Sequence, residues 1–325
     1  MRRPGMRVCV IEVPYDFGAK QLRMAKGPAA YLRAGLLQRI GALGYNVRLE
    51  QVRLAVSRLN EIQASFATAR ALAACVRQAA RRREFPLILA GNCITSVGAL
   101  GGLEGSAHGL VWFDAHGDFN DPETTETGFL DGMALSIATG RCWRTLAASI
   151  PGFRPLSGSS VLLLGPRSID VGEQTALAAS QATVVPWSEL RQGGPGATMT
   201  RTIRAFGRRV RDVYLHVDMD VLDPRKAPSN EFAPSGGFSV ANLVKGVTIV
   251  CNHLSVRAAT LSAYSPDCDP KRRTARAGLA VIHAILATRA QRHLRLRPAH
   301  DEPAESPSVR VCKASLWEHL PTRNP

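Results

Sequence analysis

Short apolar runs alternate with longer amphipathic stretches over most of the 325 residues of the chain. Short runs rich in β-branched residues are typical of buried strands, whereas apolar residues that recur every three to four positions indicate helices. Strands that alternate with helices predict crossover connections, and therefore a parallel sheet with helices on both faces. The pattern predicts an α/β fold of three layers, α/β/α, around one eight-stranded, mostly parallel, doubly wound sheet.

The predicted strands and helices end near residue 290. The strands are predicted at 8–13, 47–52, 87–90, 110–114, 161–165, 182–185, 213–218 and 258–263. The helices are predicted at 29–43, 61–83, 132–139, 172–179, 198–210, 240–251 and 274–288. Beyond them the chain is rich in Pro, Glu, Ser and Arg, a composition typical of disorder. We therefore predict one domain over residues 1–294 and a disordered C-terminal tail over residues 295–325.

Apolar run length and cysteine content indicate a soluble cytoplasmic protein. The longest apolar runs, such as 161–164, are far shorter than the roughly 20 residues that span a bilayer. The basic N-terminus leads into a predicted strand rather than a cleavage site, which is not typical of a signal peptide. Seven cysteines, an odd number without CxxC spacing, favour reduced thiols over a disulfide framework.

The chain carries a formal net charge of +15, from 41 Lys and Arg against 26 Asp and Glu. Such an excess can indicate a polyanionic partner such as nucleic acid. The basic clusters, however, lie apart and mostly on the polar sides of predicted helices. They favour solvated helix faces, with nucleic-acid binding as the less favoured alternative. We expect a small-molecule substrate, no membrane partner, and a homo-oligomer as an open alternative to a monomer.

Two acidic clusters follow predicted strands. The first cluster, Asp114, His116 and Asp118, begins at the last residue of the strand at 110–114, and the second, Asp218 and Asp220, begins at the last residue of the strand at 213–218. Ligands of open parallel sheets bind beyond the carboxyl ends of the strands. Either cluster alone could be a helix cap or a loop carboxylate. Two clusters at one sheet edge favour a metal centre.

Burying several carboxylates together is costly without a cation, because like charges in a low dielectric disfavour ionisation. Carboxylate oxygens with one imidazole suit Mn²⁺, and two such ions can bridge and activate a water molecule. The sequence therefore predicts a binuclear metal centre with two Mn²⁺ ions.

The segments DAHGDFN (114–120) and HVDMDVLDP (216–224) resemble the DAHxD and SxDxDxxDP signatures of the arginase/agmatinase ureohydrolase family. Weaker similarity extends over about residues 6–290. The resemblance implies an arginase-like catalytic domain, two Mn²⁺ ions, and hydrolysis of linear C–N bonds in amidine or guanidine groups.

The resemblance also implies a role for each acidic residue. Asp114 and Asp218 would bridge both metals, and His116 and Asp220 would complete one site. Asp118 would ligate the other metal, hydrogen-bond the activated water and pass its proton to the departing amine.

Cys93 stands where the family carries the histidine of a GGDHS motif, since the matching segment is AGNCI (90–94). A thiolate beside a dication can ligate, although sulfur is softer than Mn²⁺ prefers, so other divalent ions are compatible with the site. The alternative is a buried cysteine beside a weakened metal site. A subgroup of the family that hydrolyses N-hydroxyarginine also carries cysteine here, which favours ligation.

Two further positions depart from arginases. Asp131 stands in place of a proton-shuttling histidine and could act only with a raised pKa. Ala263 replaces a glutamate that pairs with the guanidinium, and losing such a carboxylate weakens binding. Unmodified arginine is therefore disfavoured as the substrate.

Residues that contact the α-amino acid in the family have counterparts here. Asn120 and Thr127 would bind a carboxylate, and Asp170 and Glu173 an ammonium group. Helix capping is the alternative for the last two. The predicted substrate is an amino acid with a guanidino or hydroxyguanidino group. A catalytically silent family member that binds a metabolite or protein is the rival hypothesis.

Overall fold

Eight parallel strands form one sheet in the computed structural model, which describes residues 5–16, 18–54 and 59–295. The order across the sheet is β2-β1-β3-β8-β7-β4-β5-β6. The strands are β1 (Arg7–Val13), β2 (Asn46–Gln51), β3 (Phe85–Ala90), β4 (Gly109–Phe113), β5 (Val161–Leu164), β6 (Thr183–Val185), β7 (Asp212–Asp218) and β8 (Ser255–Ser262).

Helices cover both faces of this sheet. They are α1 (Gly27–Arg33), α2 (Leu36–Ala42), α3 (Glu61–Arg81), α4 (Thr95–Gly102), α5 (Ala134–Ala138), α6 (Arg144–Ala148), α7 (Val171–Ala179), α8 (Trp187–Gln192), α9 (Pro195–Gly207), α10 (Val240–His253) and α11 (Arg273–Arg295). Successive residues of a strand point to opposite faces. Accordingly, Val8 and Val10 belong to one buried cluster, and Cys9 and Ile11 belong to the other. The predicted three-layer fold is confirmed.

All eight predicted strands are present, but one predicted helix is divided, and α4, α6 and α8 were not predicted. The stretch 29–43 divides into α1 and α2 because Gly35 takes a left-handed conformation with φ +82° between them. Helix α4 was not predicted, because three glycines hide its pattern. Gly98 of α4 lies against Ala69 of α3, where an added Cβ would come 2.4 Å from the Ala69 carbonyl oxygen. Tertiary packing thus stabilises a helix that local propensity disfavours.

The predicted disordered tail lies outside the described residues, apart from Arg295 at the end of α11. Within the described ranges, every helix is too short or too polar to cross a bilayer.

Candidate metal centre

Four neighbouring strands, in the order β3, β8, β7 and β4, end at the predicted site. Cys93 follows β3, Ser262 ends β8, Asp218 ends β7 and Asp114 follows β4. The register pairs Trp112 of β4 with the residue two before Asp218. Because all four strands are parallel, their carboxyl ends bring these side chains to one edge of the sheet.

Two groups of possible ligand atoms meet at this edge. Cys93, Asp114 and Asp218 form the first group, and Asp114, His116 and Asp220 form the second. Within each group the ligand atoms lie within 4.8 Å of one another. Asp114 belongs to both groups, so its carboxylate can connect two adjacent metal positions.

The contacts within the groups are short. In the first group, Cys93 Sγ lies 2.9 Å from Asp218 Oδ2. In the second, His116 Nδ1 lies 3.2 Å from Asp220 Oδ2 and 3.5 Å from Asp114 Oδ1. The first group is fully buried, whereas the His116 side chain retains 30% of its exposure.

Asp118 lies beside the two groups in a loop with an unusual backbone. Its φ is +50°, and its carbonyl accepts the backbone N–H groups of Leu135 and Ser136 at 2.8 and 3.1 Å. Its carboxylate is buried, and Oδ2 has no hydrogen-bond partner among the described residues. Buried polar atoms normally have a partner, so an unpartnered carboxylate oxygen suits a cation or an ordered water.

Burial and mutual repulsion govern the charges at this edge. Burial, followed by the charge of Asp114, holds the pKa of Asp118 well above its usual range. Burial, followed by the charges of Asp220 and Asp114, does the same to the pKa of Asp218. Asp220 differs: despite its burial, the neighbouring His116 lowers its pKa to about 2. Divalent cations would remove the repulsion that opposes ionisation of the other carboxyls, so the donor set fits the predicted metals.

Indole and backbone N–H groups orient the carboxylates. Trp112 Nε1 donates to Asp114 Oδ2 at 2.8 Å, and the His116 N–H donates to Asp114 Oδ1 at 2.8 Å. The Asp220 N–H donates to Asp218 Oδ1 at 2.7 Å. Such outer hydrogen bonds fix ligand geometry. Sequence reasoning missed Trp112, although an aromatic residue two positions before a ligand on the same strand was a usable signal.

The structure also brings two residues to Cys93 that sequence reasoning missed. His216 Nε2 lies 3.3 Å and Ser262 Oγ 3.2 Å from the Cys93 sulfur. His216 occupies the serine position of the SxDxDxxDP signature, and that departure could have drawn attention to it.

Asp131 lies beside the same segment. Its carboxylate accepts from the Ile94 N–H at 2.8 Å and from Asn92 Nδ2 at 2.7 Å. Burial raises the pKa of Asp131 to about 7, although these hydrogen bonds oppose the rise. A proton relay needs a pKa in this range, but both carboxylate oxygens also hold the segment that carries Cys93.

The predicted substrate contacts fall into three environments. Asn120 is buried and donates through Nδ2 to Asp170 Oδ2 at 2.8 Å, and its Oδ1 has no partner among the described residues. Glu173 is buried and accepts the N–H groups of Phe119 at 2.7 Å and Asp170 at 3.2 Å, as a capping residue of α7 does. Thr127 lies on an exposed loop.

Ala263, at the predicted guanidinium position, has no polar side chain to offer. It is 4% exposed and has φ +58°. Its N–H donates to the Gly91 carbonyl at 3.0 Å, and its carbonyl accepts from Asn230 Nδ2 at 2.8 Å. Two hydrogen bonds thus fix the backbone of Ala263, the position at which the resemblance places the family's glutamate.

Comparison with known proteins agrees with this architecture. A family model described as the arginase family matches residues 6–287. The chain is 28% identical to an arginase of Bacillus caldovelox over 291 residues, which cover 86% of this chain and 97% of that protein. It is 26% identical to an arginase of Bacillus subtilis (strain 168) over 292 residues, which cover 86% and 97%.

Solved structures show the same relationship. The native structure of Bacillus caldovelox arginase superposes with a TM-score of 0.80 at 27% identity, over 86% of this chain and 98% of that one. Formimidoylglutamase from Bacillus subtilis shares the fold, with a TM-score of 0.70 at 18% identity over 90% and 89%. The chain therefore belongs to the arginase family.

Proposed function

We propose that this protein is a binuclear-metal hydrolase of linear C–N bonds in amidine or guanidine groups. Its substrate is an amino acid with a guanidino or hydroxyguanidino group. The observation that carries the proposal is the position of Asp114 in both groups of ligand atoms. A carboxylate shared in this way suits two adjacent cations.

Six side chains would hold the two ions, which are Cys93, Asp114, His116, Asp118, Asp218 and Asp220. Mn²⁺ suits the oxygen-rich set, and the sulfur of Cys93 also admits softer divalent ions. When bound, the metals lower the pKa of a water molecule and polarise the substrate.

Asp118 has the acid–base role in this proposal. Its Oδ2 is buried and lacks a hydrogen-bond partner among the described residues, so it can accept a proton from the attacking water. It then delivers the proton to the departing amine. Asp131 is too engaged with the Ile94 N–H and Asn92 to move freely, so we assign it a smaller part in proton transfer.

The proposed substrate pocket, which comprises Asp131, Ala263, Asn120 and Asp170, favours a head group that is less basic than a guanidinium ion. At position 263 a methyl group replaces a carboxylate, so a guanidinium cation would lose its ion pair. N-hydroxylation lowers the basicity of the guanidine, so the missing carboxylate costs less. At the other end, Asn120 and Asp170 present an amide and a carboxylate that suit an α-amino acid.

A screen of metal-loaded protein tests this proposal. Protein reconstituted with Mn²⁺, and separately with Co²⁺ or Zn²⁺, is incubated with N-hydroxy-L-arginine, L-arginine and agmatine. We expect hydroxyurea from the first, slower urea release from the second and the slowest from agmatine, which lacks the carboxylate. The Asp118→Asn variant keeps an oxygen donor but cannot accept the proton, and it should lose about 10²–10³ in rate.

The departures at Asp131 and Ala263 favour a second candidate, a silent family member that binds a metabolite. No turnover of any substrate with any of the three metals, by protein that holds two ions per chain, would support that candidate instead.

A further inference from the structure

A buried imidazole and a buried hydroxyl lie directly against the thiol of Cys93. His216 Nε2 is 3.3 Å and Ser262 Oγ is 3.2 Å from the sulfur, and these two atoms are 2.9 Å apart. His216, Ser262 and Cys93 are 0%, 1% and 3% exposed. The three side chains come from β7, β8 and the segment after β3, which lie side by side in the sheet. They form a closed triangle of polar atoms that excludes solvent.

The imidazole of His216 is held on two further sides. Trp112 stacks on its face, with ring centroids 3.7 Å apart and planes 12° from parallel. The Tyr214 hydroxyl lies 3.3 Å from Nδ1 and 2.6 Å from Thr260 Oγ1. These contacts hold the ring in an orientation that points Nε2 toward Cys93 and Ser262.

The indole of Trp112 links His216 to Asp114, a second proposed ligand. Trp112 Nε1 donates to Asp114 Oδ2 at 2.8 Å, while its ring covers His216. The stacked pair of His216 and Trp112 thus contacts both Cys93 and the carboxylate of Asp114, which the two ligand groups share.

We propose that His216 and Ser262 are positioning residues, which hold the Cys93 thiolate by hydrogen bonds as a ligand of one of the two divalent metal ions. This inference rests on the proposed function only in taking Cys93 as a ligand; it does not depend on the substrate. His216 itself is outside both groups of mutually close ligand atoms, so it acts through the sulfur.

The donor geometry supports this role. A buried thiolate needs hydrogen-bond donors, because an anion without them is costly in a low dielectric. The Ser262 hydroxyl can rotate to donate to the sulfur. The neutral imidazole carries one ring hydrogen, and the tautomer with this hydrogen on Nε2 points it at Cys93 and Ser262. Metal binding would release the thiol proton to solvent, and these donors would then face the thiolate.

Cobalt is the probe that tests the inference, because a thiolate bound to Co²⁺ gives a charge-transfer absorption band in the near ultraviolet. Purified full-length protein is stripped with chelator and titrated with Co²⁺. The wild type should show the band, and Cys93→Ser should lack it. The His216→Phe variant keeps the ring on Trp112 but removes both nitrogens. We expect it to weaken Co²⁺ binding at the sulfur site by about 10- to 100-fold and to shift the band.

Matched variants separate positioning from a merely structural role. His216→Gln offers an amide N–H near the place of Nε2 and should restore most of the affinity and the band position. Ser262→Ala removes one donor and should weaken binding by about three- to tenfold. Far-ultraviolet circular dichroism and the thermal midpoint of the stripped proteins report whether each variant folds.

The outcomes distinguish this inference from the proposed function. Unchanged Co²⁺ affinity and an unchanged band in folded His216→Phe and Ser262→Ala would overturn it. If His216→Phe does not fold, the same two readouts in Ser262→Ala decide the matter. A wild type without the band would overturn the inference even if it releases hydroxyurea. The expected spectra without turnover of any guanidino acid would support the inference and contradict the proposed function.

Discussion

The metal centre and the pocket beside it keep the pattern of the arginase family to different degrees. At the centre, five of the six proposed ligands match the two signature segments, and only Cys93 departs. In the pocket, Asp131 and Ala263 both replace residues on which arginases rely. The proposed function expects this difference, since it combines the family's hydrolytic chemistry with a changed recognition of the reacting group.

The change at Cys93 shows how such a departure is accommodated. The sulfur is surrounded by His216 and Ser262, and the first of these also departs from the signature. A departure at a proposed ligand position and a departure at its neighbour therefore occur together. At Ala263, by contrast, the backbone N–H and carbonyl contact Gly91 and Asn230. Neither of these residues supplies the carboxylate that Ala263 lacks.

The largest effect is expected from Asp114→Asn, because this carboxylate serves both ligand groups. Metal content should fall from two ions to fewer than one per chain, and turnover by about 10⁴-fold or more, equivalent to about 5.5 kcal/mol. The stripped variant should be more stable than the stripped wild type by about 1 kcal/mol, since a repelling charge is gone. Metal analysis and thermal unfolding measure both effects.

Asp212→Asn is the matched control for that substitution. Asp212 begins the neighbouring strand β7 at the opposite edge of the sheet and pairs there with Arg257. The Asp212→Asn variant should have the metal content and turnover of the wild type. Two tightly bound ions in Asp114→Asn would show that the two ligand groups do not share this carboxylate.

The free energy of unfolding is expected to change with pH by a few kcal/mol because of Asp131. Burial raises the pKa of Asp131 to about 7, whereas an unfolded carboxyl has a pKa of about 4. The folded state therefore binds this proton more tightly, so its contribution is present at low pH and is lost as the pH rises from about 4 to about 7. Stripped protein should lose about 2–3 kcal/mol of stability from Asp131 between pH 5 and pH 8.

Denaturant unfolding of stripped protein at several pH values measures this slope. Asp131→Asn should reduce the dependence of the free energy of unfolding on pH. Glu123→Gln, which changes an exposed carboxyl on the neighbouring loop, should leave it unchanged. An equally steep slope in Asp131→Asn would place the titration elsewhere, with Glu173, whose pKa burial also raises to about 7, as the next residue to examine.

Restoring the missing carboxylate tests the change in recognition. Ala263→Glu should raise the ratio of kcat/KM for arginine over N-hydroxyarginine by about 10- to 100-fold, because a guanidinium ion regains its partner. Ala263 already has a positive φ, so the longer side chain adds little backbone strain. Ala263→Gln has the same size without the charge and should not change the ratio. If the two folded variants have the same kcat/KM ratio for arginine over N-hydroxyarginine, residue 263 does not face the guanidinium group.

The parts of this arrangement that could be predicted from sequence are those that local spacing determines. The eight strands appear as short apolar runs, and Asp114, His116 and Asp118 lie so close in sequence that any strand end brings them together. The contact between Cys93 and His216 depends on β8 lying between β3 and β7, and no spacing in the sequence reveals that order.

Sequence also leaves competing uses of a side chain undecided. Glu173 could be read as a substrate contact or as a helix cap, and the two readings predict the same residue at the same place. The structure shows its carboxylate engaged with the Phe119 and Asp170 N–H groups. Those bonds depend on how the loop after β4 packs against α7, which is a tertiary relation.

The smallest effects should separate the two residues predicted to bind the substrate carboxylate. Asn120 is buried against Asp170, so Asn120→Ala should raise KM by about tenfold with little change in kcat, as the loss of a binding contact does. Thr127 lies on an exposed loop, so Thr127→Ala should change either constant less than about threefold. Steady-state kinetics with the best substrate measures both. A larger effect at Thr127 would mean that its loop folds over the bound amino acid, and the pocket would then extend beyond the buried pair.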